Sequence, residues 1–269
     1  MWHVYWLPYA VARSLSLQHG CPSVAGYADG LNEYGGGAAM TLGQVGPAQS
    51  EYLYHFTGRN GDRPVWVPND IRDASPQQRL DAILREEQFR AFAPFGAEAA
   101  GAGASGVPCL CFSECPFEQL DHLIRTGRFE PWGVVTTREK VHRRGGGAVA
   151  YVPTAVHEAF VKANLGHWAV RTEKDSSWLH EREWRLPLPA GSHAVGSVQA
   201  IIVANAEWRP SKVGTGRWID GATGLEEPGP VSPYAIERDD YPRLWRESAV
   251  WVWNAEAKNV TRYEPGELC

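Results

Sequence analysis

The 269-residue sequence has no apolar run that approaches the roughly 20 residues of a membrane-spanning helix, so we predict no membrane segment. It also lacks an excess of basic residues: the formal net charge of -5 provides no general basic surface for nucleic acid. Cysteine is scarce, and five residues with three bunched between positions 109 and 115 do not predict a disulfide framework. No basic region precedes the apolar start, so we expect no secretory signal and a cytoplasmic protein.

What is present is enough apolar sequence for a core, since 43% of residues are hydrophobic and 21% are charged. These proportions exclude collagen-like, coiled-coil and disordered chains. Strand patterns outnumber helix patterns after the first third, which predicts an α+β fold with a mixed, mainly antiparallel sheet and a few helices. We expect three parts: a loosely structured extension at 1–50, one domain at 51–210, and a turn-rich, tryptophan-rich extension at 211–269 that packs on the domain.

Local sequence signals predict several individual helices and strands. A helix should begin after Ser75, which can cap it, with Pro76 in the first turn and Gln78 completing a capping box. A second helix is predicted at 116–124, with Gly127 as its stop, and a loop or lid at 96–107. Strands are predicted at 51–56, 108–113, 133–137, 148–152, 167–171, 181–188 and 198–204.

The most informative stretch is the run from His180 to Arg185, which reads HEREWR. On a strand, Glu181, Glu183 and Arg185 would share one face. Two neighbouring carboxylates repel each other and raise at least one pKa unless cations lie close. Surface salt bridges are one explanation, and a functional cleft is the other; the flanking strand signal favours the cleft.

A histidine and a hydroxyl form the second candidate pair. His55 lies opposite its aromatic neighbours on the first predicted strand, and Thr57 would project to the same side. Together they could hydrogen-bond a sugar or a phosphate. A purely structural histidine is the alternative.

The cysteines at 109, 111 and 115 do not have the spacing of a zinc site, and we predict no metal. Buried free cysteines on a strand explain Cys109 and Cys111. Ser113 and Glu114, at the end of that strand, are better candidates for ligand contacts.

A short basic cluster precedes three glycines, without the context of a nucleotide-binding loop. A solvated helix end is the simplest interpretation, and a contact to nucleic-acid phosphates is the alternative. The cluster consists of Arg138, Lys140, Arg143 and Arg144.

Several of these elements, read in order, resemble the AbiGi-type abortive phage resistance family. The resemblance rests on YHFT at 54–57, PCLCFSECP at 108–116, PWG at 131–133, GAVAYV at 147–152 and HEREWR at 180–185. It covers about half of the chain and implies a bacterial protein of phage defence or of a toxin–antitoxin pair, with a cognate toxin or antitoxin as partner.

The layout is also similar to that of ADP-ribosyltransferases of the DarT type, which implies an ADP-ribosyltransferase-like fold with NAD as substrate. By this resemblance Glu183 is the catalytic glutamate, Glu181 orients a nucleic-acid or protein acceptor, and His55 is the first-strand residue that holds the nucleotide. Thr57, Ser113 and Arg185 complete the expected NAD-binding set.

Three functions therefore remain open: an NAD-dependent ADP-ribosyltransferase or NAD glycohydrolase, a non-catalytic antitoxin or regulator that binds a partner, and a metal-dependent nuclease using the paired glutamates. The transferase hypothesis predicts that His55, Thr57, Ser113 and Glu183 line one pocket. A placement of His55 and Glu183 on opposite faces of the sheet would end the transferase hypothesis.

Overall fold

The computed structural model describes residues 42–269, with the exception of residue 44 and of 60–66, 95–106 and 174–177. Its contacts divide the chain into two units, Met1–Met40 and Thr41–Cys269, and the description below concerns the second. Most of the predicted extension at 1–50 and nearly all of the predicted loop at 96–107 lie outside the described residues.

Strands dominate the described residues. In chain order they are β1 (Tyr52–Arg59), β2 (Gln88–Arg90), β3 (Cys109–Glu114), β4 (Phe129–Thr137), β5 (Gly147–Ala148), β6 (Ala150–Val152), β7 (Ala169–Arg171), β8 (Glu183–Pro187), β9 (Ser192–Ala194), β10 (Ala200–Val203), β11 (Val213–Asp220), β12 (Glu226–Glu227), β13 (Ala235–Asp240), β14 (Ala249–Asn254) and β15 (Asn259–Tyr263). Eight of them form one open sheet in the order β15-β14-β10-β4-β1-β3-β8-β5. Within it only β10 and β14 are parallel, which confirms the predicted mixed, mainly antiparallel sheet.

Helices are few and short in the same residues. They are α1 (Asn69–Arg72), α2 (Pro76–Glu86), α3 (Leu120–Gly127), α4 (Arg138–Arg143), α5 (Thr154–Lys162) and α6 (Arg243–Glu247). The longest, α2, has 11 residues, and no helix of the described parts has the length and apolar character of a membrane span.

The ends of two helices test the sequence signals directly. At α2 the capping box is confirmed, because Ser75 Oγ accepts the Gln78 N–H and Gln78 Oε1 accepts the Ser75 N–H. The helix predicted at 116–124 instead begins with a 3₁₀ turn and continues as α3 to Gly127. Arg128, in a left-handed conformation with φ of 55°, closes it.

The sheet buries both of its faces, because neighbouring residues on each central strand point to opposite sides. Leu53, Val134 and Ile201 face the core beneath α2 and α6, whereas Tyr54, Val135 and Ile202 face the core beneath α3. Strands covered on both sides read as continuous apolar runs, which explains the sequence AIIV of β10 and AVWVW of β14.

The segment 211–269 is more closely integrated than an extension packing on a domain. Its strands β14 and β15 extend the eight-stranded sheet, and β14 pairs in parallel with β10. The turn signals that suggested an extension belong to β11, β12 and β13, which form a separate, largely exposed three-stranded sheet.

Candidate functional site

The site is located where two neighbouring strands of the main sheet separate. β1 and β3 pair at two positions only, Leu53 with Glu114 and Tyr54 with Ser113. Beyond Tyr54, β1 remains paired with β4 while β3 remains paired with β8. The separation opens a gap within the sheet. The backbone N–H and C=O groups that face the gap no longer pair between the two strands and need other hydrogen-bond partners.

The imidazole of His55 bridges this gap. Its Nδ1 lies 2.9 Å from the carbonyl oxygen of Cys111 on β3, where the two strands no longer pair. The ring also packs edge-on against Phe89, with 5.3 Å between ring centroids. A second aromatic contact, to Phe112 at 5.7 Å between centroids, helps to hold His55 between the strands.

Gly133 on β4 fixes the position of β1 from the other side. A Cβ atom at this position would lie 2.1 Å from the carbonyl oxygen of His55, which no side chain tolerates. The close approach of β4 to β1 thus requires glycine here.

A cavity of about 420 Å³ opens at the gap. Its walls combine aromatic rings with four charged groups: Arg59 at the end of β1, Arg171 at the end of β7, and the carboxylates of Glu181 and Glu183. The aromatic rings include those of Phe56, Phe129 and Trp178. Sites of this size, largely apolar with a few convergent polar groups, are typical of small-molecule binding.

Glu183 is the best-fixed carboxylate in the cavity. Its two oxygens accept hydrogen bonds from Nε and Nη2 of Arg185, at 2.8 and 3.0 Å. Arg185 is only 1% exposed, and its Nη1 also donates to the carbonyl of His167 at 3.0 Å. A forked ion pair anchored in this way holds the carboxylate in one orientation.

Glu181 reaches the same cavity from a different element. It ends a 3₁₀ turn, Trp178–Glu181, and forms an ion pair with Arg59. Arg182 follows with a left-handed φ of 44°, so β8 begins only at Glu183. The prediction that Glu181, Glu183 and Arg185 share one strand face is therefore wrong for Glu181, because Arg182 interrupts the strand.

Burial raises the pKa of the Glu181 carboxyl, although the Arg59 guanidinium acts to lower it. The negative charge of Glu183 adds to the rise. The two carboxylates thus differ: Glu183 is held in a fork by the buried Arg185, whereas Glu181 pairs with the more exposed Arg59 and has a raised pKa.

The four residues predicted to share a pocket do so only in part. Ser113 and Glu183 line the cavity from one face of the sheet, as the register of β3 and β8 requires. The register places His55 on the opposite face, and its ring reaches the cavity only through the strand gap. This is the placement that ends the transferase hypothesis in the form that the resemblance implies, with His55 as the residue that holds the nucleotide. Any NAD chemistry in the cavity therefore has to depend on other residues.

Thr57 and Arg185 are placed away from the cavity. The Thr57 hydroxyl bonds to the carbonyls of Pro76 and Trp132, both at 2.9 Å, and the residue lines a separate apolar cavity of about 270 Å³ under α2. Arg185 is not part of the cavity wall; it lies behind Glu183 and donates to its carboxylate. These contacts of the two side chains hold the fold in place around the site.

Glu114 also proves to be structural rather than a ligand contact. It is buried, and its carboxylate accepts hydrogen bonds from the Ser50 N–H, Arg182 and the Trp184 indole. A carboxylate with three donors has little capacity left for a ligand.

Sequence patterns do not single out Arg59, which pairs with Glu181 and lines the same cavity as Glu183. Its guanidinium stacks over the rings of Phe129 and Trp178, at 4.5 and 5.2 Å from the ring centroids. Stacked arginine is a common partner of phosphates and planar groups. Arg59 lies only four residues from His55, but its partners are far away in sequence, so spacing alone could not find it.

Cys109, Cys111 and Cys115 lie on β3 or directly after it. In the described part of the chain, no group of three or more His, Cys, Asp or Glu side chains is placed to hold a metal ion. Burial raises the pKa of the Cys109 and Cys115 thiols to about 12 in each case. Cys109 is buried on β3, as predicted, whereas Cys111 is half-buried and contributes to the cavity wall.

Comparisons with protein-family models, with curated proteins and with solved structures return no match for this chain. The resemblances to the AbiGi-type family and to ADP-ribosyltransferases therefore stay predictions.

Proposed function

We propose that the cavity at the β1–β3 gap binds NAD and cleaves its bond to nicotinamide, either by ADP-ribosyl transfer or by hydrolysis. The observation that carries the proposal is the fixed carboxylate of Glu183, held by a buried arginine and facing a cavity that also contains Arg59 and Arg171.

The chemistry follows from the charge that develops during this reaction. As the bond to nicotinamide breaks, positive charge builds on the ribose. A preorganised carboxylate beside it stabilises the transition state, and removal of one such contact typically costs about 100-fold or more in turnover. Because Arg185 already holds Glu183 in place, little reorganisation is needed at the moment of reaction.

The remaining cavity groups match the other parts of NAD. Arg59 and Arg171 supply positive charge for a diphosphate. Phe129 and Trp178 offer aromatic surfaces for a flat ring. Glu181, with its raised pKa, is suited to exchange a proton with an attacking hydroxyl or water. His55 has no ligand role in this proposal, which therefore does not depend on the first-strand assignment.

The nuclease hypothesis is less favoured by the same contacts. Glu181 pairs with Arg59 and Glu183 pairs with Arg185, so a divalent ion would have to displace two guanidinium groups.

The hypothesis of phage defence, with an abortive-infection or toxin–antitoxin role, sets the biological context in which an NAD-consuming activity would act.

The test is incubation of purified protein with NAD, with nicotinamide and ADP-ribose separated and quantified. We expect Glu183→Gln to lower turnover by about 100-fold or more while changing NAD affinity little. We expect Glu181→Gln to weaken transfer to an added acceptor more than plain hydrolysis. No nicotinamide release by the wild-type protein, with or without acceptor extracts, would refute the proposal.

A further inference from the structure

A small cavity of about 40 Å³ lies beside α4, on the opposite face of the sheet from Glu183. We call its polar rim the basic notch: Lys140 and Arg144 from α4 and its end, His193 from β9, and Ser197 from the loop after β9. Lys140 Nζ donates to Ser197 Oγ at 3.3 Å, which ties the two segments together.

The positive charge of the notch is uncompensated. Within the described residues, no carboxylate forms an ion pair with Lys140, Arg144 or His193, whereas the adjacent Arg143 pairs with Glu139 at 2.8 Å. Burial lowers the pKa of His193, and the charge of Arg144 lowers it further. In a protein with a net charge of -5, such a spot attracts anions selectively.

A helix end alone does not account for this arrangement. Cations are common near helix C-termini because they complement the helix dipole, and this explains Arg143 and Arg144. It does not explain why His193 and Ser197, from a different part of the chain, converge on the same cavity.

The backbone beside the notch adds neutral donors. The amide N–H groups of Gly196 and Ser197 make no hydrogen bond within the described structure. A Cβ atom built on Gly196 meets nothing within 4 Å, so a ligand has open space for its approach. Successive free amides beside cationic side chains are a common setting for bound phosphate.

We infer that the basic notch binds a phosphate group, carried either by free inorganic phosphate or by a nucleic-acid strand. The cavity has room for about three water molecules, which is comparable to one tetrahedral anion. The inference is independent of the NAD proposal, because the notch and the Glu183 cavity share no charged residue.

Calorimetric titration at constant ionic strength tests the inference with two probes, inorganic phosphate and a single-stranded DNA of about ten nucleotides. We expect saturable binding of at least one probe, weakened about tenfold by Lys140→Gln and by Arg144→Gln. Arg143→Gln is the matched control, since Arg143 is adjacent and exposed but paired with Glu139, and it should retain nearly full affinity.

The results of the two titrations distinguish free phosphate from a nucleic-acid phosphate as the ligand of the notch. Phosphate binding that depends on Lys140 and Arg144 supports a free-anion site, and DNA binding with the same dependence supports a strand phosphate as the source. Failure of both probes to saturate, or an equal loss in Arg143→Gln, would overturn the inference, because general electrostatic attraction would then explain the charge. Both substituted side chains are partly or fully exposed, so the variants should fold, and circular dichroism verifies this.

Discussion

Replacement of Glu183 by alanine should destabilise the fold strongly, because the buried Arg185 then loses both hydrogen-bond acceptors and the charge of this carboxylate, whereas glutamine would keep one acceptor. Arg185 is 1% exposed and Glu183 is 14% exposed, and two hydrogen bonds of 2.8 and 3.0 Å join them. In Glu183→Ala the guanidinium still donates to the carbonyls of His167 and Ala169, at 3.0 and 3.3 Å, but it loses the carboxylate. Breaking a buried pair from one side typically costs about 3–5 kcal/mol.

The expected shift is large enough to measure by thermal denaturation. At about 2–4 °C for each kcal/mol in a protein of this size, the melting temperature should fall by roughly 10 °C. The double variant Glu183→Ala with Arg185→Met should recover most of this loss, because neither charge is then buried alone.

An exposed ion pair of the same length serves as a control, because it shows how much stability is lost when an ion pair is broken without leaving a buried charge. Glu139 and Arg143 also lie 2.8 Å apart, but their side chains are 29% and 66% exposed. We expect Glu139→Ala to cost only about 0–1 kcal/mol. A similar small loss in Glu183→Ala, or a double variant less stable than the single one, would refute the account of a buried, anchored carboxylate.

Three further predictions concern the scaffold and its pH dependence. Gly133→Ala should lower the free energy of unfolding by about 1–3 kcal/mol or more, because its Cβ would meet the His55 carbonyl; a melting curve like that of the wild type would contradict the close approach. Ser75→Ala should cost about 1 kcal/mol and Ser75→Gly only a few tenths in urea denaturation, and equal losses would contradict the capping role. Because burial raises the pKa of Glu181, its folded form binds more protons than its unfolded form, so its contribution to stability falls as pH rises. Glu181→Gln should therefore gain stability relative to the wild type as pH rises above about 4.5, the ordinary pKa of a glutamate, and a stability difference that does not change with pH would contradict the raised pKa.

Local signals predicted some elements and missed others: the strand predicted at 167–171 begins as a 3₁₀ turn, and the one predicted at 148–152 is divided between two sheets. The capping box at Ser75 and the apolar run of β10 depend on neighbouring residues alone, and both appear as expected. The mixed, mainly antiparallel sheet follows from the succession of such elements. The position of β14 beside β10 could not be predicted in this way, since residues 204–248, which contain the sheet of β11, β12 and β13 and the helix α6, separate them.

Only those site residues that lie on regular strands could be predicted from the sequence. Glu183 and Ser113 face the cavity because strand alternation and pairing fix their direction. Glu181 reaches it through a 3₁₀ turn, and His55 reaches it through a gap between strands. Neither the 3₁₀ turn nor the gap between the strands can be predicted from the alternation of residues along a strand. The stacking of Arg59 depends on residues that are remote in sequence.

The central claim is that the cavity at the strand gap is an NAD site, and calorimetric titration of Glu183→Gln with NAD tests it most directly. This variant should turn over slowly enough for equilibrium binding to be measured. The account predicts saturable binding of one NAD per chain with an affinity close to that of the wild type, weakened about tenfold or more by the additional change Arg59→Gln. Absence of saturable binding, or binding that Arg59→Gln leaves unchanged, would contradict it.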